Sequence, residues 1–231
     1  MSSEEDNRQR ALNNIVDPVR IWCGDANSQE PSLHYLNGLW HESIMMQRKG
    51  TLFTLNNLSL SPLLLPERAL QVSVAHAHPG QPKVAEQYAR LHSARAEQLK
   101  GTEQEHIITM GSLQYMRAII AARNAESAIM VDVFDHLSEL SGRSGTEVRF
   151  VQEVPLSTTH ADMRFMQYDQ DGDSVMAVSV REPASERTHA VNSIMVNSLW
   201  KEYAHVRGVA DPAFASVNTF QIMSMLALTE A

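Results

Sequence analysis

Ten histidines lie along the chain, at 34, 41, 76, 78, 92, 106, 136, 160, 189 and 205, and imidazole is the side chain that most readily holds a metal or moves a proton near neutral pH. His76-Ala-His78 would put two imidazoles on one side of a strand. No third ligand stands nearby, so this pair reads as a polar edge rather than a metal site. His160-Ala-Asp162 has the HxD spacing of non-haem iron sites, with His205 as a distal third ligand, but the many strands that such a site needs are lacking. Asp132, Asp135, His136 and Glu139 recur at helical spacing. Because Val133, Phe134, Leu137 and Leu140 supply the opposite apolar stripe, the acidic set reads as a solvated face. Asp169, Asp171 and Asp173 imitate the start of a calcium loop, yet Gly172 is two positions early and Val180 stands where the closing glutamate belongs. A hairpin tip accounts for them better. No metal site is predicted, and HExxH, GxSxG, P-loop and GxGxxG patterns are all absent.

The rest of the composition narrows the field. The chain has 231 residues, 43% hydrophobic and 20% charged, with a net charge of −8, enough to fold around a core and the wrong sign for non-specific nucleic-acid binding. Met1 to Arg10 has no apolar core of a signal peptide, and no apolar run approaches the ~20 residues that span a bilayer. A cytoplasmic protein, or one exported without a cleaved signal, is expected. Cys23 is the single cysteine, so no internal disulfide or cysteine-based zinc site can form.

The elements that must position these groups follow from periodicity. Residues 1–14 are expected to be a disordered tail, residues 15–145 a mainly helical region, and residues 146–231 a small α+β region packed on it, together one compact domain. Within the helical region the spacing predicts a helix from Ser32 to Lys49 closed by Gly50, and a strand through Leu70, Val72 and Val74. Another helix is predicted from Lys83 to Gly101, and one more is opened by a Thr102/Glu105 capping box. The helical texture runs on to Ser141 with a break between Asn124 and Ser127. After Gly145 the period becomes strand-like: a strand around Val148 and Phe150, then a hairpin with Asp171-Gly172 at its tip, then a helix from Thr188 to Val206 and a buried apolar segment from Phe214 to Leu228. The fold class is α+β, with a helical N-terminal half and a small antiparallel sheet behind it.

The segment Thr158–Ser185, in which His160 opens one strand of the hairpin and Glu182 in Glu182-Pro183-Ala184 closes the other, resembles the catalytic core of the YopJ-type family of bacterial effector acetyltransferases. The resemblance implies a cysteine-protease-like fold in which the Glu182 carboxylate orients the His160 imidazole, which takes the proton from a thiol. The family's nucleophilic cysteine has no counterpart between Phe214 and Leu228, and the 182 − 160 = 22 positions between the two residues make a longer hairpin than the family uses. What this implies is a host-directed effector-like or accessory protein that binds a protein partner. No cofactor is predicted, and acetyl-CoA enters only if the family's activity carries over. Two alternatives stand beside it. One is an acyltransferase or hydrolase in which His160, paired with Glu182 or Asp162, is the general base. The other is a plain interaction module that uses the helical half, Ser32–Ser141.

Overall fold

The computed structural model describes residues 42, 44–77, 79–126, 128–152, 161–182, 185–189 and 194–210, with the backbone alone at 84, 87, 88, 91, 181, 182 and 185–189. Six strands, β1 (Thr51–Asn56), β2 (Glu103–Thr109), β3 (Thr146–Val151), β4 (Asp162–Gln170), β5 (Asp173–Glu182) and β6 (Ser185–His189), form one sheet in the order β3-β2-β1-β4-β5-β6. β1, β2 and β3 are parallel, whereas β4, β5 and β6 join antiparallel. Parallel neighbours need long crossovers, and each crossover here carries two helices: α1 (Glu67–Ala77) and α2 (Pro82–Gln98) lead from β1 to β2, and α3 (Met110–Ala122) and α4 (Ala128–Ser141) from β2 to β3. The last helix, α5 (Ile194–Val209), follows β6.

The chain is therefore mixed α/β, and the expected helical first half is corrected: β1 and β2 both lie within residues 15–145, and the sheet draws on both predicted regions. The sheet is mixed rather than antiparallel. Leu70, Val72 and Val74 lie in α1 and not in a strand. Pro66 just ahead of that helix and the buried trio Ala69, Leu70 and Val74 at helical spacing outweigh the β-branched alternation. Thr102 immediately precedes strand β2 and Glu105 lies within it, and the helix that follows is capped instead by Thr109, whose Oγ1 accepts from the Ser112 amide. Thr188 belongs to β6, and the helix after it begins at Ile194. Of the predicted Ser32–Lys49 helix, residues 42 and 44–47 are helical, Arg48 and Lys49 form a turn at its end, and the rest falls outside the described residues, as do the 1–14 tail and Phe214–Leu228. The left-handed position at that helix end is held by Lys49, at φ 53°. Gly50 serves a different need, since a Cβ there would collide with the Gln167 carbonyl.

Side chains that alternate along each strand divide the core in two. Ile108, Val148 and Phe150 pack under α1, α3 and α4 with Leu70, Leu113, Met116 and Phe134, while Met166, Tyr168 and Ala177 meet Met45, Leu52 and Leu99 on the same side. Ile107, Met163, Phe165 and Val178 face the other way and pack against Val196, Tyr203 and Val206 of α5. Trp200 and Tyr203 lie edge-on to Phe165, with ring centroids 5.2 and 5.4 Å away. A buried polar latch completes this face. The Tyr203 hydroxyl donates to Glu105 Oε1 at 2.8 Å, and Arg207 Nε donates to Glu105 Oε2 at 2.9 Å. Burial, reinforced by the charge and hydrogen bond of Glu105, raises the tyrosine pKa and keeps it a donor.

Candidate functional site

A row of polar side chains crosses the α1–α4 side of the sheet because strand register aligns them. Thr54 on β1 pairs with His106 on β2 and with Arg164 on β4, and Arg164 pairs in turn with Ser179 on β5. Thr54 Oγ1 lies 2.8 Å from His106 Nδ1, and His106 Nε2 lies 3.1 Å from Gln104 Oε1. An amide oxygen can only accept, so Nε2 carries the proton and Nδ1 accepts from the threonine hydroxyl, a tautomer assigned from this network. Asn56 Nδ2 donates to Thr54 Oγ1 at 2.9 Å and to the Ile107 carbonyl at 3.0 Å. The result has the outline of a hydroxyl activated by an imidazole. Its electrostatics oppose that role: burial, helped by the charge of Arg164, pushes the His106 pKa down to about 3, which makes it a poor base at neutral pH. Thr54 and His106 are 2% and 1% exposed, so the pair is a buried link between strands.

Above the row sits a buried ion-pair cluster. Arg95 of α2 grips Glu42 with two bonds, Nε to Oε1 at 3.0 Å and Nη2 to Oε2 at 2.5 Å, and Arg164 Nη1 reaches Oε2 at 3.3 Å. Burial alone would raise the Glu42 pKa, but the charges of Arg95 and Arg164 and the Arg95 hydrogen bond prevail and lower it, so the carboxylate stays ionised.

Asp162, one of the three predicted catalytic residues, begins β4 beside the carboxyl end of β1. Its Oδ1 accepts from the amides of Asn57 (2.8 Å), Leu58 (2.6 Å) and Ser59 (3.3 Å), and its Oδ2 accepts from the Ser59 hydroxyl (2.8 Å). The carboxylate is thus the clamp of the turn that leaves β1. Asp162→Ala should lower stability by about 1–2 kcal/mol, the cost of unsatisfied backbone donors, measured by urea unfolding. This turn roofs a cavity of about 430 Å³ at the carboxyl end of β1, bordered by Thr54, Arg95, Asp162, Arg164, Tyr115 and Ser179 among others. Ligands of α/β sheets commonly bind beyond the carboxyl ends of parallel strands.

The other predicted residues fare differently. His160 falls outside the described residues. Glu182 ends β5, one residue past the Arg181–Asp162 pair in the hairpin register, and its backbone alone is described. Asp135 and Glu139 are exposed on α4, and Asp132 bonds exposed Arg68 at 3.1 Å, as befits a solvated face. His136 is half-buried, and burial lowers its pKa. His76 lies in the last turn of helix α1 rather than on a strand, and it borders the cavity, while His78 falls outside the described residues. His205 is exposed on α5. Among the described residues, no group of three or more His, Cys, Asp or Glu side chains could hold a metal ion.

Sequence reasoning missed Glu42, Arg95, Arg164, Thr54 and His106. One signal was available. Arg164 follows Asp162 at the two-residue strand period, which puts a cation two positions from a carboxylate on one side of β4. Compared with known proteins, the chain matches no family model and no curated protein.

Proposed function

We propose that this chain works by binding rather than by turning over a substrate, as an effector-like or accessory protein. The observation that carries the reading is how three titratable groups at or beside the cavity, Asp162, Glu42 and His106, are engaged. Asp162 is spent on the turn after β1, Glu42 is held by two arginines, and His106 is too weak a base to draw a proton from Thr54. The likeness of Thr158–Ser185 to YopJ-type acetyltransferases, without a cysteine in the corresponding place, points the same way. On that resemblance alone rests the further proposal of a bacterial, host-directed protein with a protein partner. The net charge of −8 favours such a partner over nucleic acid.

The test is turnover by the full chain. Incubated with acetyl-CoA, or with p-nitrophenyl acetate as a hydrolase probe, the wild type should release CoA or nitrophenol at the rate of buffer, and His160→Ala and Glu182→Gln should change nothing. Release that is clearly above buffer in the wild type and abolished in His160→Ala, with an unchanged melting temperature, would establish the general-base enzyme instead.

A further inference from the structure

The cavity at the carboxyl end of β1 contains a guanidinium that the fold does not use up. Arg164 borders it with its side chain 22% exposed, and among the described residues its partner is Glu42, through a single bond of 3.3 Å. A guanidinium has five N–H donors in a planar fork, so most of this one remains for a ligand. The carboxylates nearby occupy little of it, Glu42 through that one bond and Asp162 through none. Asp162 directs its oxygens to the 57–59 turn, and Glu42 lies in the two-bond grip of Arg95.

From this arrangement we infer that the cavity binds a small organic monocarboxylate, its carboxylate on Arg164 and its apolar body against Leu60, Val74, Tyr115 and Ile119. Three features select that class. The wall is amphipathic, with the arginines, Ser179 and Asn56 at the sheet and the apolar residues on the turn and on α1 and α3. A volume of about 430 Å³ suits a compact organic molecule rather than a polymer, since small-molecule pockets run from about 300 to 1,000 Å³. Charge decides between anions. His76 and His92 also border the cavity, and the two arginines are matched by Glu42 and Asp162, so among these four charges a monoanion leaves one uncompensated where a phosphate monoester dianion leaves two. The inference deepens the binding reading and rests on it, naming a ligand for the site.

The experiment is calorimetric titration of the full chain with three probes of one shape: 4-phenylbutyrate, 4-phenylbutanol and 4-phenylbutyl phosphate. Binding of the carboxylate at least about tenfold tighter than either analogue is expected, because a hydrogen-bonded ionic contact is worth roughly a factor of ten or more. Arg164→Gln should abolish that preference. As Arg164 also supports Glu42, a second variant leaves the ion pairs alone: Ser73→Phe, on the α1 wall, should block all three probes while the melting temperature stays within a few degrees of wild type. Equal binding of the alcohol, tighter binding of the phosphate, no binding of the carboxylate, or unchanged binding in either variant would overturn the inference. None of these results bears on turnover of acetyl-CoA, so the two proposals fail separately.

Discussion

Glu42→Ala should cost about 3–5 kcal/mol of folding stability, the typical penalty for stripping the partner from a buried charge. Arg95 is 6% exposed and would be left facing Arg164 across the gap where the carboxylate neutralised both. Like charges would then meet in a site where water screens them little. Two comparisons separate this from a loss of packing. The double variant Glu42→Leu/Arg95→Met removes the charges along with their attraction, and should recover most of the loss, because desolvating the ions offsets much of what their pairing contributes. The Arg90–Glu86 pair on α2 has side chains 78% and 62% exposed, and Arg90→Ala should cost no more than about 0.5 kcal/mol. Urea unfolding of the four proteins would measure all this. A single-variant loss below 1 kcal/mol, or a double variant as unstable as Glu42→Ala, would show that Glu42 does not hold the two arginines together electrostatically.

The contrast between α4 and β2 shows what could be read from the chain and what could not. Helix α4 is legible because Ile129, Met130, Val133, Phe134, Leu137 and Leu140 form an apolar stripe, and nothing outside the helix is needed to explain its pattern. The β4–β5 hairpin is legible for a similar reason: Asp171 and Gly172 both take positive φ, at 54° and 91°, as a tight two-residue turn requires. Strand β2, EQEHIIT, reads as a capped polar helix start because its acidic and imidazole side chains look solvated. Glu105 and His106 are buried, since Glu105 meets Tyr203 and Arg207 on one side of the sheet while His106 meets Thr54 on the other. Those partners lie 98, 102 and 52 positions away, and no local period can announce them. The same holds for the cavity, whose Arg95 and Arg164 are 53 and 122 positions from Glu42. Motif reading looks for chemistry within a few residues, and this site is assembled by sheet register.

Acidification should destabilise the fold through His106 in a window that can be separated from ordinary acid unfolding. In the unfolded chain its imidazole titrates near 6.5, whereas in the fold its pKa is pushed down to about 3 by burial and by Arg164. The native state therefore refuses a proton that the unfolded state accepts. The stability from keeping this ring neutral is fully present above pH 6.5 and drains away as the pH falls towards 3. At about 1.4 kcal/mol per pH unit, some 2–3 kcal/mol should be gone at pH 4.5. Glu42, with its pKa lowered from 4.5, adds a loss of the same sign but at lower pH, so the slope between 6.5 and 5 belongs to histidine. His136, with its pKa also lowered, contributes to that slope; it is half-buried on α4 and borders the same hollow as His106. His106→Gln distinguishes the two, because it can still exchange a hydrogen bond with Thr54 but cannot titrate. It should be less stable than wild type at pH 7 yet lose far less between pH 7 and 4.5, so that the two unfolding midpoints converge. Parallel curves would mean that the proton is taken up elsewhere, and that the buried Thr54–His106 link does not hold the ring in its neutral form.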